Sequence, residues 1–197
     1  AHLDKPRRAG TVGWPLPDVT LRIVGEQGNP VAKGETGEIQ IQGPNVFRSY
    51  WQNPEKTAED LVDGWFKTGD LAREEPDGMI AIVGRAKDML ISGGYNVYPK
   101  EIEEVLDAVP GVAESAVVGM PHPDFGEAGL AILTLTPGAP APDDKALRDL
   151  LKGKFANYKV PKLILVAETL PRNAMGKVQK KELRETYKSA WEEMLAK

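Results

Sequence analysis

The chain of 197 residues contains no cysteine. That excludes disulfides, thiolate zinc sites and a cysteine nucleophile. Histidine is scarce as well. Only His2 and His122 can supply an imidazole, which argues against a hydrolase built on a Ser-His-Asp triad. No apolar run reaches the roughly 18 residues that a membrane-crossing helix needs. The N-terminal AHLDKPRRAG has no apolar segment of the kind a signal peptide carries. Cytoplasmic location without a membrane partner is the expectation. Positive charge is not in excess: 25 Lys and Arg face 29 Asp and Glu, for a net charge of -4. A general polyanion binder, and so a nucleic-acid partner, is not expected. A local basic site for one phosphate group is compatible with that balance. Hydrophobic residues make up 41%, enough for a core, and the length fits one large domain or two small ones.

The sequence changes style along its length. Up to about residue 85 it reads as β-rich. Val19 to Val24 and Glu38 to Gln42 alternate apolar and polar residues and stop at turn signals, Gly25 to Pro30 and Gly43-Pro44. Asn53-Pro54 starts a short helix over 55–61. Phe66 and Leu71 flank a tight segment, Lys67-Thr68-Gly69-Asp70, which places Asp70 at a strand end. Asp77-Gly78 turns into a strand over 79–83. From about residue 89, strands alternate with helices. Pro99 opens a helix with Ile102, Val105, Leu106 and Val109 on one face. Val112 to Met120, Leu130 to Thr136 and Leu163 to Val166 read as strands. Asp143 or Asp144 caps a helix whose apolar face is Leu147, Leu150, Leu151 and Phe155. One last helix from about Lys180 carries Leu183, Tyr187, Trp191 and Leu195. The predicted class is α+β. The β-rich part spans 1–86 and a small α+β domain spans 87–197. GRAKDMLISGG lies at the junction and reads equally as a hinge or a hairpin turn.

Four stretches stand in order: GWFKTGD at 64–70, GRAKDMLISGGYNVYPKEIE at 84–103, HPDFGE at 122–127 and LPRNAMGK at 170–177. Together they resemble the C-terminal portion of the adenylate-forming enzymes (the ANL superfamily), which includes acyl-CoA synthetases, peptide-synthetase adenylation domains and luciferases. The wording of LPRNAMGKVQKKELRETYK is most similar to malonyl- and methylmalonyl-CoA synthetases. The resemblance implies that 1–86 is the β-rich end of a large adenylation domain and 87–197 a small mobile domain. It also implies an upstream part holding a phosphate loop and an acidic magnesium motif, neither of which is found here. The chain is then expected to be a piece of a longer protein, and inactive alone.

The implied reaction joins a carboxylic acid to CoA at the expense of ATP, through an acyl-adenylate, with AMP and pyrophosphate as products. ATP, CoA and Mg2+ are the implied cofactors, and a small-molecule carboxylic acid is the partner. Fatty or aryl acids are alternatives to malonate. Most surface lysines only solvate. The resemblance nonetheless gives Lys177, beside Gly176, the catalytic role of a cation shared between carboxylate and phosphate. It assigns Asp70 to the ribose diol, where the plainer reading is an Asp ending a strand or capping a turn. Arg85 is assigned to the nucleotide, with an ion pair to Asp88 or a nearby Glu as the alternative. Asp88 is the implied hinge. Gly93, Gly94 and Tyr95 line the implied pantetheine tunnel, against the simpler reading of a tight hairpin turn. No residue is assigned to a metal. His122 reads as an exposed or capping histidine. Trp14, Trp51, Trp65 and Trp191 read as packing residues, and Lys180, Lys181 and Arg184 as a solvated helix face. A further alternative makes the piece a non-catalytic module whose Lys177 is the substrate of a protein lysine acyltransferase and deacylase.

Overall fold

A computed structural model describes residues 7–196; His2 lies outside them. The fold is α+β, in two compact units, Ala1–Lys87 and Asp88–Lys197.

In the first unit, β1 (Thr20–Val24) pairs antiparallel with β2 (Gly37–Gln42), and β2 with β4 (Trp65–Glu74). The other edge of β4 is shared by β3 (Leu61–Val62) and β5 (Ile80–Arg85). Alternation in β1 and β2 points Ile23 and Ile39 to one face, where they pack with Ala72 and Ile80. Helix α1 (Pro54–Asp60) begins where Asn53 accepts a hydrogen bond from the Lys56 N–H at 3.0 Å. Residues 67–70 do not end a strand. β4 continues through them, because a bulge absorbs the extra residues: Glu38 pairs with Leu71, and Gln40 already pairs with Lys67. Trp51 is 87% exposed, so packing does not account for it.

The second unit is a five-stranded sheet covered on both faces. β9 (Gly126–Leu135) is its central strand and pairs along one edge with β8 (Val112–His122) as a long antiparallel hairpin. The other edge of β9 takes β10 (Leu163–Val166), in parallel, and the end of β6 (Leu90–Ser92), which pairs with β7 (Tyr95–Val97). One face carries Val117, Ala131 and Leu133. These meet Ile102 and Leu106 of α2 (Pro99–Asp107) and Leu147 and Leu151 of α3 (Asp144–Lys154). The other face carries Ala116, Val118, Met120, Leu130 and Ile132. It is covered by Leu183 of α4 (Lys180–Thr186) and Trp191 of α5 (Lys188–Leu195). A strand buried on both sides loses its polar alternation, which is why these segments read as unbroken apolar runs.

Three expectations are corrected. The terminal helix is two helices, broken at Tyr187, whose backbone (φ -102, ψ 12) is not helical. The break lets Trp191 sink and donate its indole N–H to the Pro121 carbonyl at 2.7 Å, while Leu195 stays exposed. Leu150 is exposed too, because α3 rests on the sheet through Leu147 and Leu151 alone. β9 starts at Gly126, paired with His122 at the end of β8, four residues before the apolar run. No described helix is long and apolar enough to cross a membrane.

Candidate functional site

The first unit brings Asp70 and Arg85 together. They are cross-strand partners on β4 and β5. Arg85 Nη1 donates to Asp70 Oδ1 at 2.7 Å and to the Thr68 carbonyl at 3.0 Å. The bulge aims the carboxylate. Gly69 at its apex has φ +70, a conformation that glycine adopts without cost. The Thr68 hydroxyl donates to the Ile39 carbonyl at 2.9 Å and accepts from the Asp70 N–H at 3.1 Å. Both side chains remain partly open, Asp70 at 35% and Arg85 at 43%. An exposed pair of this kind adds little to stability, and its main effect is to orient the carboxylate. The alternative reading of Arg85, an ion pair to Asp88 or a nearby Glu, is met by a different carboxylate, that of Asp70. Asp88 ends a short 3-10 turn, Ala86–Asp88, and is the first residue of the second unit.

Lys177 lies on a tight turn closed by several hydrogen bonds. Arg172 and Val178 form a β-bridge across it. The Asn173 Oδ1 accepts from the N–H groups of Met175 and Lys177, both at 3.0 Å. The Asn173 N–H donates to the Lys177 carbonyl at 3.0 Å, and the Gly176 N–H to the Asn173 carbonyl at 2.9 Å. Gly176 takes φ +77, with open space around it. The Lys177 side chain is exposed, and its ammonium has no hydrogen-bond or ion-pair partner among the described residues. Sequence reading singled out Lys177 but not Asn173. The signal was present in Asn173-Ala174-Met175-Gly176, an Asx turn followed by glycine.

Gly93 and Gly94 form the turn of the β6–β7 hairpin with φ +60 and +82. Two positive φ values define the two-residue turn that favours glycine at both positions. The turn alone thus accounts for both glycines. It is anchored to the β8–β9 hairpin: the Gly93 N–H donates to the Phe125 carbonyl at 2.9 Å, and the Ile91 N–H to Glu127 Oε2 at 2.9 Å. Tyr95 stacks on Tyr158 with centroids 4.7 Å apart.

The basic residues of α4 are not a solvated face. Lys180 pairs with Glu103 at 2.7 Å, where Glu103 also accepts the Val117 N–H. Arg184 Nε donates to the Gly119 carbonyl at 3.1 Å. Only Lys181 is exposed. No group of three or more His, Asp or Glu among the described residues could hold a metal ion.

The order and spacing of these elements are shared with known proteins. Residues 101–177 match the AMP-binding enzyme C-terminal domain, and residues 1–51 match the AMP-binding enzyme family. The chain belongs to the AMP-binding enzymes. Its relatives include an indoleacetate–CoA ligase of Aromatoleum aromaticum, 43% identical over 92% of this chain and 36% of the ligase. A long-chain-fatty-acid–CoA ligase of Salmonella typhimurium is 42% identical over 90% of this chain and 31% of the ligase. Among solved structures, ATP-bound MatB from Rhodopseudomonas palustris superposes with a TM-score of 0.88 at 47% identity, covering 95% of this chain and 38% of MatB. MenE from Bacillus subtilis, in complex with an acyl-adenylate intermediate, gives 0.83 at 35% identity, covering 89% of this chain and 35% of MenE. The chain thus spans about a third of the length of the curated relatives it matches.

A Cβ at Gly69 would meet only Arg85 Nη1, at 4.0 Å. Gly69→Ala is therefore expected to cost roughly 1–2 kcal/mol from backbone conformation alone. Urea unfolding of the chain measures it, and a change near zero would show that the bulge does not need positive φ.

Proposed function

We propose that this chain belongs to an ATP-dependent acid–CoA ligase, the activity residing in the longer protein. The first half-reaction brings a carboxylate against the α-phosphate of ATP, one anion onto another. A fixed cation between them offsets the repulsion and stabilises the charge shared in the transition state. Lys177 is that cation. The observation that carries the reading is its unpaired ammonium on a turn held by Asn173. Lys180 and Lys159, by contrast, are held in ion pairs.

Asp70 accepts the ribose hydroxyls. Arg85 occupies one oxygen of its carboxylate, and a carboxylate has about four acceptor sites, so acceptor capacity remains for a diol. Arg85 adds nucleotide contacts through its remaining N–H groups. Mg2+ enters as the companion of ATP, and no described residue is assigned to it.

The second half-reaction passes the acyl group to the CoA thiol. Gly93, Gly94 and Tyr95 are assigned to the pantetheine arm, and Asp88 to the hinge at which the units reorient between steps. Support comes from the second unit itself. The Lys177 turn is tied to β8 near Glu114, and the Gly93 turn to the far end of the same hairpin, at Phe125. The eight residue steps from Glu114 to His122 span on the order of 25 Å at strand rise. One placement of this unit cannot offer both turns to one acyl carbon.

The acid we propose is malonate or methylmalonate, on the wording of LPRNAMGKVQKKELRETYK. Relatives named for indoleacetate, ferulate and long-chain fatty acids share this region at 42–43% identity. The region is thus common to ligases of dissimilar acids. Cytoplasmic location and control by lysine acylation of Lys177 complete the proposal.

In the longer protein, Lys177→Ala is expected to slow adenylate formation by about 10²–10³-fold, the cost of one transition-state donor. CoA transfer from preformed adenylate should change little. Lys177→Gln, which removes the charge as acylation does, should copy it. Equal loss in both half-reactions would remove the assigned role. In an acid panel, CoA-dependent AMP release should be fastest with malonate or methylmalonate; a preference for ferulate or a fatty acid would overturn that choice.

A further inference from the structure

We propose that Arg172 is the positioning residue for Lys177, acting by fastening the lysine's turn to the central hairpin. Its guanidinium is shared between two acceptors. Nη1 donates to the Gly176 carbonyl at 2.6 Å, one peptide before Lys177. Nη2 pairs with the Glu114 carboxylate on β8. Asn173 closes the turn from inside, but those bonds fix only the turn's own shape. Arg172 links that shape to a strand of the buried sheet. The meaning of the link for catalysis rests on the role proposed above for Lys177; the link itself does not.

The chemistry requires a planar two-headed donor. Arg presents N–H groups in a fixed fork, whereas a lysine ammonium is a single point on a flexible stem. One ammonium cannot hold the geometry of both acceptors. The residues involved are half-exposed, Arg172 at 43% and Glu114 at 36%, so the pair adds little to global stability. The consequence is local: Leu170 and Val178 hold the base of the turn against the sheet, and without the fork the tip from Asn173 to Lys177 keeps its shape and loses its orientation to β8. A lysine on a four-carbon stem then samples more positions, and reaction rates are sensitive to such misplacement.

Two measurements separate the link from its catalytic meaning. On this chain, amide hydrogen exchange of 173–178 is read for Arg172→Lys and Glu114→Gln. Exchange is expected to rise about tenfold, the effect of one charge-assisted hydrogen bond, with the melting temperature unchanged. Unchanged exchange in both variants overturns the link. In the longer protein, Arg172→Lys is expected to lower kcat for adenylation about tenfold or more with KM for ATP unchanged, and to leave CoA transfer intact. A raised KM for ATP would instead make Arg172 a nucleotide ligand and overturn the positioning role. Faster exchange with adenylation intact would leave the link standing and overturn its catalytic meaning. Loss of both half-reactions together would count against the reading of Lys177, not against the link.

Discussion

The second unit depends on one ladder. β8 and β9 pair continuously from Val112 and Leu135 to His122 and Gly126, interrupted by a single irregularity near Glu114. Both faces are buried, and Val117, Val118, Leu130, Ile132 and Leu133 are fully excluded from water. Each such side chain contributes about 1.5–3 kcal/mol of burial. The ladder's register also sets function. It fixes which residues face α2 and α3, which face α4 and α5, and which stand at each end to receive a turn. A slip by one residue would invert every face.

The two turns attached to this hairpin have the same construction. Each uses glycine at positive φ, each closes on its own hydrogen bonds, and each has a charged side chain that ties it to the β8–β9 hairpin. For Gly93 the tie is Glu127, which accepts the neighbouring Ile91 N–H. For Lys177 it is Arg172. The first unit repeats the logic, with Gly69 at a bulge apex and Arg85 holding the Asp70 carboxylate. Glycine supplies the backbone shape, and a charged fork or carboxylate sets its direction.

Much of this was legible in the sequence because it rests on local pattern. Strand alternation, the proline at the start of α2, the Asp143 cap and the α2 apolar face all depend on nearby residues. What escaped depends on distant ones. The break at Tyr187 goes with Trp191 reaching the Pro121 carbonyl, seventy positions away. Periodicity over 183–195 carries no trace of that bond. Continuity of β4 through Gly69 depends on β2 tolerating the bulge. Lys180 looked solvated because Glu103 lies 77 positions earlier. Lys177, Asp70 and Arg85 were singled out through motif resemblance. The partners that orient them, Thr68, Asn173, Arg172 and Glu114, surfaced only with the fold.

The central claim is that the Lys177 turn and the Gly93 turn are held apart at opposite ends of one rigid hairpin, and the proposal of two orientations for two half-reactions rests on that separation. The cysteine-free chain permits a direct measurement. Spin labels attached through Ala174→Cys and Asn96→Cys report the distance between the turns by pulsed electron resonance. A single narrow distribution centred on the order of 25 Å, the strand rise over the intervening residues, is the predicted result. A broad distribution, or one centred below about 15 Å, would mean that the turns are not separated by a rigid ladder, and would contradict the account.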